Sequence, residues 1–159
     1  MREFRERVPR YLANVANEDA ILAAAARIID RRFVRLGVIS APADAGQMLK
    51  LRLGGESREV MFALYLDARH QVISVQEASV GTLSSCAVYP RELAREALRL
   101  NAAALILAHN HPSGTSEPSQ ADRELTERVR AALALLEIRL LDHLVIAADV
   151  VSFAERGYL

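Results

Sequence analysis

Residues 103–108, AALILA, form a continuously apolar run that ends on His109-Asn110-His111 and a stretch rich in proline, serine and glycine. A short apolar run without polar alternation fits a central strand of a sheet whose faces are covered by helices. Its surroundings agree. The segment 59–66, EVMFALYL, reads as a buried strand, DARH as a turn, and 71–80, QVISVQEASV, as a second strand stopped at Gly81. Pro90 opens a helix over RELAREALRL, because proline suits a first helical turn. Another helix begins near Ser119, with Leu125, Val129, Ala132, Leu133 and Leu136 on one face. RLLDHLVIA and VVSFA supply one or two further strands. Strands interleaved with helices specify an α/β or α+β domain built on a helix-flanked sheet.

Ahead of this region, Asn17 is placed to cap a helix over 18–33, with Glu18 and Asp19 in its first turn. A second helix follows Pro42 and runs to the Gly54-Gly55 break. The expected division is a helical N-terminal extension over 1–53 and an α/β domain over 54–159.

The histidines raise the chemical question. Residues at i and i+2 of a strand point to the same side, with Cα atoms roughly 6–7 Å apart. His109 and His111 can therefore converge on one ion while Asn110 points away. Zinc takes nitrogen and oxygen donors, and a catalytic site keeps three protein ligands and one open place. Asp122 is the natural third ligand, carried by the first turn of the helix after the loop. The same Ser119-x-x-Asp122 spacing also reads as a capping box, a helix start with no chemistry of its own. Cap and ligand need not exclude each other.

Composition removes several classes. The formal net charge is zero, so nothing draws the whole chain to nucleic acid or to a membrane surface. The single cysteine, Cys86, excludes an internal disulfide and a cysteine-built zinc site, and is read as a small buried residue. The charged N-terminus lacks the apolar core of a signal peptide, and no apolar stretch approaches the roughly 20 residues of a membrane span. The expected location is the cytoplasm.

The pattern H-x-H, seven residues, Ser, two residues, Asp resembles the JAMM (MPN-type) metalloprotease motif. The wording HNHPSG, then PS and D, is similar to the bacterial RadC branch. REVMFALYLD (58–67), GTL (81–83), PRE (90–92) and LLDHLVI (140–146) extend the resemblance over roughly 57–159. It implies a mixed sheet flanked by helices, a JAB/MPN core similar to the zinc deaminases. Deaminase chemistry itself is excluded, because its cysteine ligands cannot be built here. Nor is HNH a nuclease signature, since those residues are spread through a ββα unit.

The resemblance also implies roles. His109, His111 and Asp122 hold Zn2+, Glu59 is the general base, with Glu56 and Glu77 as competitors, and Ser119 donates to the developing oxyanion. The implied reaction is hydrolysis of a peptide or isopeptide bond in a protein or peptide substrate. His143 matches the family pattern and suits packing better than ligation; His70 falls in an exposed turn. Tyr89 stands where relatives carry histidine. Residues 1–53 show no helix-hairpin-helix segment, so nucleic acid is not the expected partner, nor is a membrane. A homodimer is compatible with the sequence. The alternatives are a DNA-repair-associated RadC-type protein and a non-catalytic MPN-type binding module.

Overall fold

A computed structural model describes residues 37–53, 56–80 and 88–159. The expected Asn17 cap, the helix over 18–33, the Gly54-Gly55 break, the strand end at Gly81 and Cys86 lie outside the described residues. Arg35–Leu159 form one compact unit. Its elements are α1 (Pro42–Leu53), β1 (Val60–Leu66), β2 (Val72–Val80), α2 (Pro90–Arg99), β3 (Ala104–Asn110), α3 (Gln120–Ala134), β4 (Arg139–Ile146) and β5 (Val150–Ser152). The five strands make one mixed sheet in the order β2-β1-β3-β4-β5. Only β3 and β4 run parallel, joined through α3; the other neighbours are antiparallel.

β3 is buried at every position, which accounts for its unbroken apolar sequence. Alternation divides its side chains between two cores. Ala104, Ile106 and Ala108 join Leu49 and Leu53 of α1. Leu105 and Leu107 join Leu93 of α2 with Leu125 and Leu133 of α3. The sheet thus carries α1 on one face and α2 with α3 on the other. Gly46 allows close approach of α1 to β5, because a Cβ there would lie 3.0 Å from Val150 Cγ1. Among the described residues, no helix is long and apolar enough to cross a membrane.

The register of β3 and β4 is not uniform. Leu105 opposes Leu140, but Ile106 opposes Asp142, so one residue of β4 is skipped. Beyond that shift, His143 lies opposite Leu107. An uninterrupted register would have set Asp142 there and turned His143 to the α1 side.

Two helix ends fall on left-handed residues that are not glycine. Asn101 (φ 50) ends α2, and Glu137 (φ 58) ends the turn after α3. Leu136 therefore lies beyond the helix and is 40 % exposed, a correction to its expected place on the buried face. The buried residues of the helix are Asp122, Leu125, Thr126, Val129 and Leu133.

β2, at the sheet edge, is tied to α2 by Gln76 Nε2 donating to Glu96 Oε1 at 2.6 Å. Arg99 donates to both Glu96 oxygens, at 2.8 and 2.6 Å. The Arg99 guanidinium, aided by Gln76, holds the Glu96 carboxyl down at about 2. A depressed carboxylate stabilises the fold above its unfolded value near 4.3, and that contribution disappears as pH falls toward the folded value. Glu96→Gln should therefore cost up to about 1 kcal/mol at pH 7, the partners being partly solvated. In denaturant titrations the difference from the parent should shrink between pH 5 and about 2. An equal difference at both ends would mean the ion pair is not its source.

Candidate metal centre

The site stands where β3 ends and α3 begins. His109 is fully buried in β3. His111 follows the last strand residue and is tied to β4 by its N–H donating to Ile146 O at 3.1 Å. The chain then turns through Gly114, in a left-handed conformation (φ 80). This turn brings the Thr115 carbonyl to His111 Nδ1 at 2.6 Å. A carbonyl only accepts, so Nδ1 of His111 carries a hydrogen, and in the neutral ring the lone pair is on Nε2.

Asp122 is the third residue of α3. Ser119 caps that helix: its N–H donates to Asp122 Oδ2 at 2.7 Å, while its Oγ accepts from Asp122 N at 3.2 Å. The capping box is real, and it does not consume the carboxylate. His109 Nε2 lies 2.9 Å from His111 Nε2 and 3.3 Å from Asp122 Oδ1; His111 Nε2 is 3.6 Å from Asp122 Oδ2. The candidate donor atoms of the three residues all fall within 4.8 Å of one another, so the group could hold a metal ion. Burial opposes ionisation of Asp122, yet hydrogen bonds from His109, His111 and Ser119 outweigh it and hold the carboxyl well below the usual range. His111 is raised, first by its bond to Asp122 and also by the charge of Glu59, against the opposing effect of burial.

Glu59 immediately precedes β1. Met61 opposes His109 in the antiparallel register, and Glu59, two residues earlier, is in line for the same face near His111. Glu77 pairs instead with Phe62, which packs into the α1-side core, so it belongs to the opposite face from His109. Glu56 lines a cleft of about 300 Å³ with Lys50, His111, Pro112 and Ile146.

The segment carrying Glu59 is held by Asn110, on the α1 face. Its Oδ1 accepts from Val60 N at 2.8 Å, and its Nδ2 donates to Arg58 O at 2.9 Å and Glu56 O at 3.3 Å. Sequence reasoning sent this side chain away from the site without giving it work. His143 is also buried, on the His109 side, with the rings 4.8 Å apart. Burial, and then the neighbouring His109, lower its pKa well below the ordinary histidine value. Phe153 stacks on its other side at 4.8 Å. His70 sits in its turn with φ 58, bonded to Arg139, and Tyr89 is the exposed residue preceding α2.

A helix-flanked mixed sheet with two histidines and an aspartate gathered at one strand end defines an α/β domain with a candidate metal site. The family model described as the RadC-like JAB domain matches residues 39–158, and the chain belongs to that family. Relatives agree. A UPF0758 protein of Vibrio cholerae is 46% identical over 151 residues, covering 94% of this chain and 96% of the relative. UPF0758 proteins of Bordetella petrii and Methylibium petroleiphilum are 52% and 48% identical over 141 residues, in each case 88% of this chain. The chain spans only 63% and 64% of those two relatives.

Two outcomes are expected. The purified chain should take up one divalent ion, and His109→Ala, His111→Ala or Asp122→Ala should abolish uptake, as read by elemental analysis and calorimetric titration. Asn110→Ala should leave Val60 N and two carbonyls short of a partner, costing about 1–3 kcal/mol. Metal stoichiometry should be unchanged in that variant, which thermal melts with and without metal will show.

Proposed function

We propose that this domain is a cytoplasmic zinc-dependent amide hydrolase of the metallopeptidase or isopeptidase type, acting on a protein or peptide. Some JAB-domain proteins are metalloproteases, which is compatible with this reading. The observation that carries it is the convergence of His109, His111 and Asp122 at a strand end whose antiparallel partner brings Glu59 to the same face.

The donor set suits zinc. Tetrahedral bonds of about 2.0–2.1 Å put neighbouring donors about 3.3 Å apart. The separations here, 2.9, 3.3 and 3.6 Å, bracket that value, although Asp122 offers a different oxygen to each histidine. When bound, zinc would supply Lewis acidity, polarising an amide carbonyl and lowering the pKa of water toward about 7. His109 and His111 would hold it through Nε2, and Asp122 through its carboxylate.

The chain's own groups do the rest. Glu59 accepts the proton of the attacking water on a carboxylate oxygen, then delivers it to the departing amine nitrogen. Ser119 Oγ donates to Asp122 Oδ2 at 2.6 Å, so its hydroxyl has one hydrogen already engaged. Service to an oxyanion requires that hydrogen to turn from the carboxylate to the substrate oxygen. The cleft beside His111 offers room for a substrate side chain.

The decisive experiment is Glu59→Gln, assayed on whichever peptide or isopeptide conjugate the zinc-loaded parent cleaves. The variant should hold zinc like the parent while turnover falls about 10²–10⁴-fold. Parental turnover in this variant would remove Glu59 from the mechanism, and loss of zinc would make it a ligand.

A further inference from the structure

His109 and His111 would each hold an ion through Nε2, which requires that nitrogen to be free of hydrogen. For His111 the Thr115 carbonyl settles the matter. For His109 the answer comes through three hydrogen bonds, by way of His143 and Thr126 to the main-chain carbonyl of Asp122.

The chain of bonds starts at a main-chain carbonyl. Thr126 Oγ1 is 2.6 Å from Asp122 O, and a carbonyl cannot donate, so the threonine hydrogen points there. Thr126 Oγ1 is also 2.6 Å from His143 Nδ1. With its single hydrogen spent, the hydroxyl must accept, and His143 carries its hydrogen on Nδ1. Neutral His143 then has a lone pair on Nε2, which lies 2.8 Å from His109 Nδ1. His109 must donate along that line, so its Nδ1 carries a hydrogen, and in the neutral ring its lone pair is on Nε2, facing His111 and Asp122. Reversing any one bond sets two acceptors or two hydrogens against each other at 2.6–2.8 Å. These groups are sealed from solvent: Thr126 is 1 % exposed, and His143 and His109 are 0 %. Water cannot relieve a misdirected bond.

We propose that Thr126 and His143 are positioning residues, whose directed hydrogen bonds fix His109 in the Nδ1–H tautomer and so present its Nε2 to the metal. This deepens the zinc reading and rests on His109 being a ligand. The surroundings are built to hold the relay. The skipped residue of β4 puts His143 opposite Leu107, on the His109 face. Phe153 covers the ring. Asp142 Oδ1 accepts from His143 N at 2.7 Å and Ala154 N at 3.0 Å, and its Oδ2 accepts from Ser152 Oγ at 2.6 Å. These bonds fix the backbone on both sides of the pair. The relay also begins and ends on two residues of the metal group, linking the Asp122 main chain to the His109 ring.

The test reads tautomers first. In metal-free parent labelled with 15N-histidine, nitrogen shifts and long-range couplings should show His109 and His143 with hydrogen on Nδ1. An Nδ1 without hydrogen on either ring, or a hydrogen on His143 Nε2, would overturn the proposal, with no variant needed. Next, zinc and cobalt(II) affinities are measured by chelator competition for the parent, Thr126→Val and Thr126→Ser. Loss of such an outer partner costs about 10–100-fold in metal affinity. The valine variant should show that loss and the serine variant should recover it. Parental affinity in a folded Thr126→Val, or no recovery in Thr126→Ser, would also overturn it. If the parent binds neither ion, the zinc reading fails, and the tautomers alone decide whether the relay is directed as argued.

Discussion

A fully buried imidazole must satisfy two nitrogens, and His109 does so on two different sides of its ring. One nitrogen faces a histidine of β4 and the other faces the cluster at the start of α3. Much of the site's design follows from that requirement. A buried ring with one nitrogen unpaired would cost about 1–3 kcal/mol, so the pocket must supply a partner on each side. The β4 side supplies one of fixed polarity. The α3 side supplies a carboxylate and a second imidazole, a combination suited to a cation.

The backbone makes this arrangement compact. β3 is a central strand with an antiparallel neighbour on one edge and a parallel neighbour on the other. The antiparallel neighbour brings the start of β1 beside the end of β3, and with it Glu59. The parallel neighbour arrives after α3, so the helix that delivers Asp122 also carries Thr126 one turn later. Glu59, the three residues of the candidate metal group and their neighbours thus come from segments far apart in sequence that the sheet gathers at one end. Asn110 completes the junction by holding the entry to β1 through three main-chain groups.

Much of this was legible in the residues. The apolar run of β3, its delivery of His109 and His111, and the Ser119 helix start all followed from local periodicity and spacing. The strand outlasts its apolar portion, reaching Asn110, because pairing with β1 and β4 is made by the backbone and ignores side-chain polarity. Helix ends were harder to read, since α3 is closed by left-handed Glu137 where a glycine would have signalled the stop. Hardest was the function of His143. Its facing depends on one skipped residue between parallel strands, and nothing local in RLLDHLVI encodes that shift. Thr126 carries no local signal for a similar reason: its partner is 17 positions away.

The strict alternation in β3 has a consequence for how such a chain can vary. Leu107 and His109 belong to one side and Ala108 and Asn110 to the other, so the strand works as a two-letter code read by parity. Gaining or losing one residue inside it would exchange the imidazoles of the candidate metal group for the amide that clamps β1, and would trade the apolar side chains between the two cores. The turn at Gly114 faces open space, where a Cβ would meet nothing within 4 Å. Length change in this lineage therefore has a place to go, provided that a carbonyl still reaches His111, and the strand before it has none.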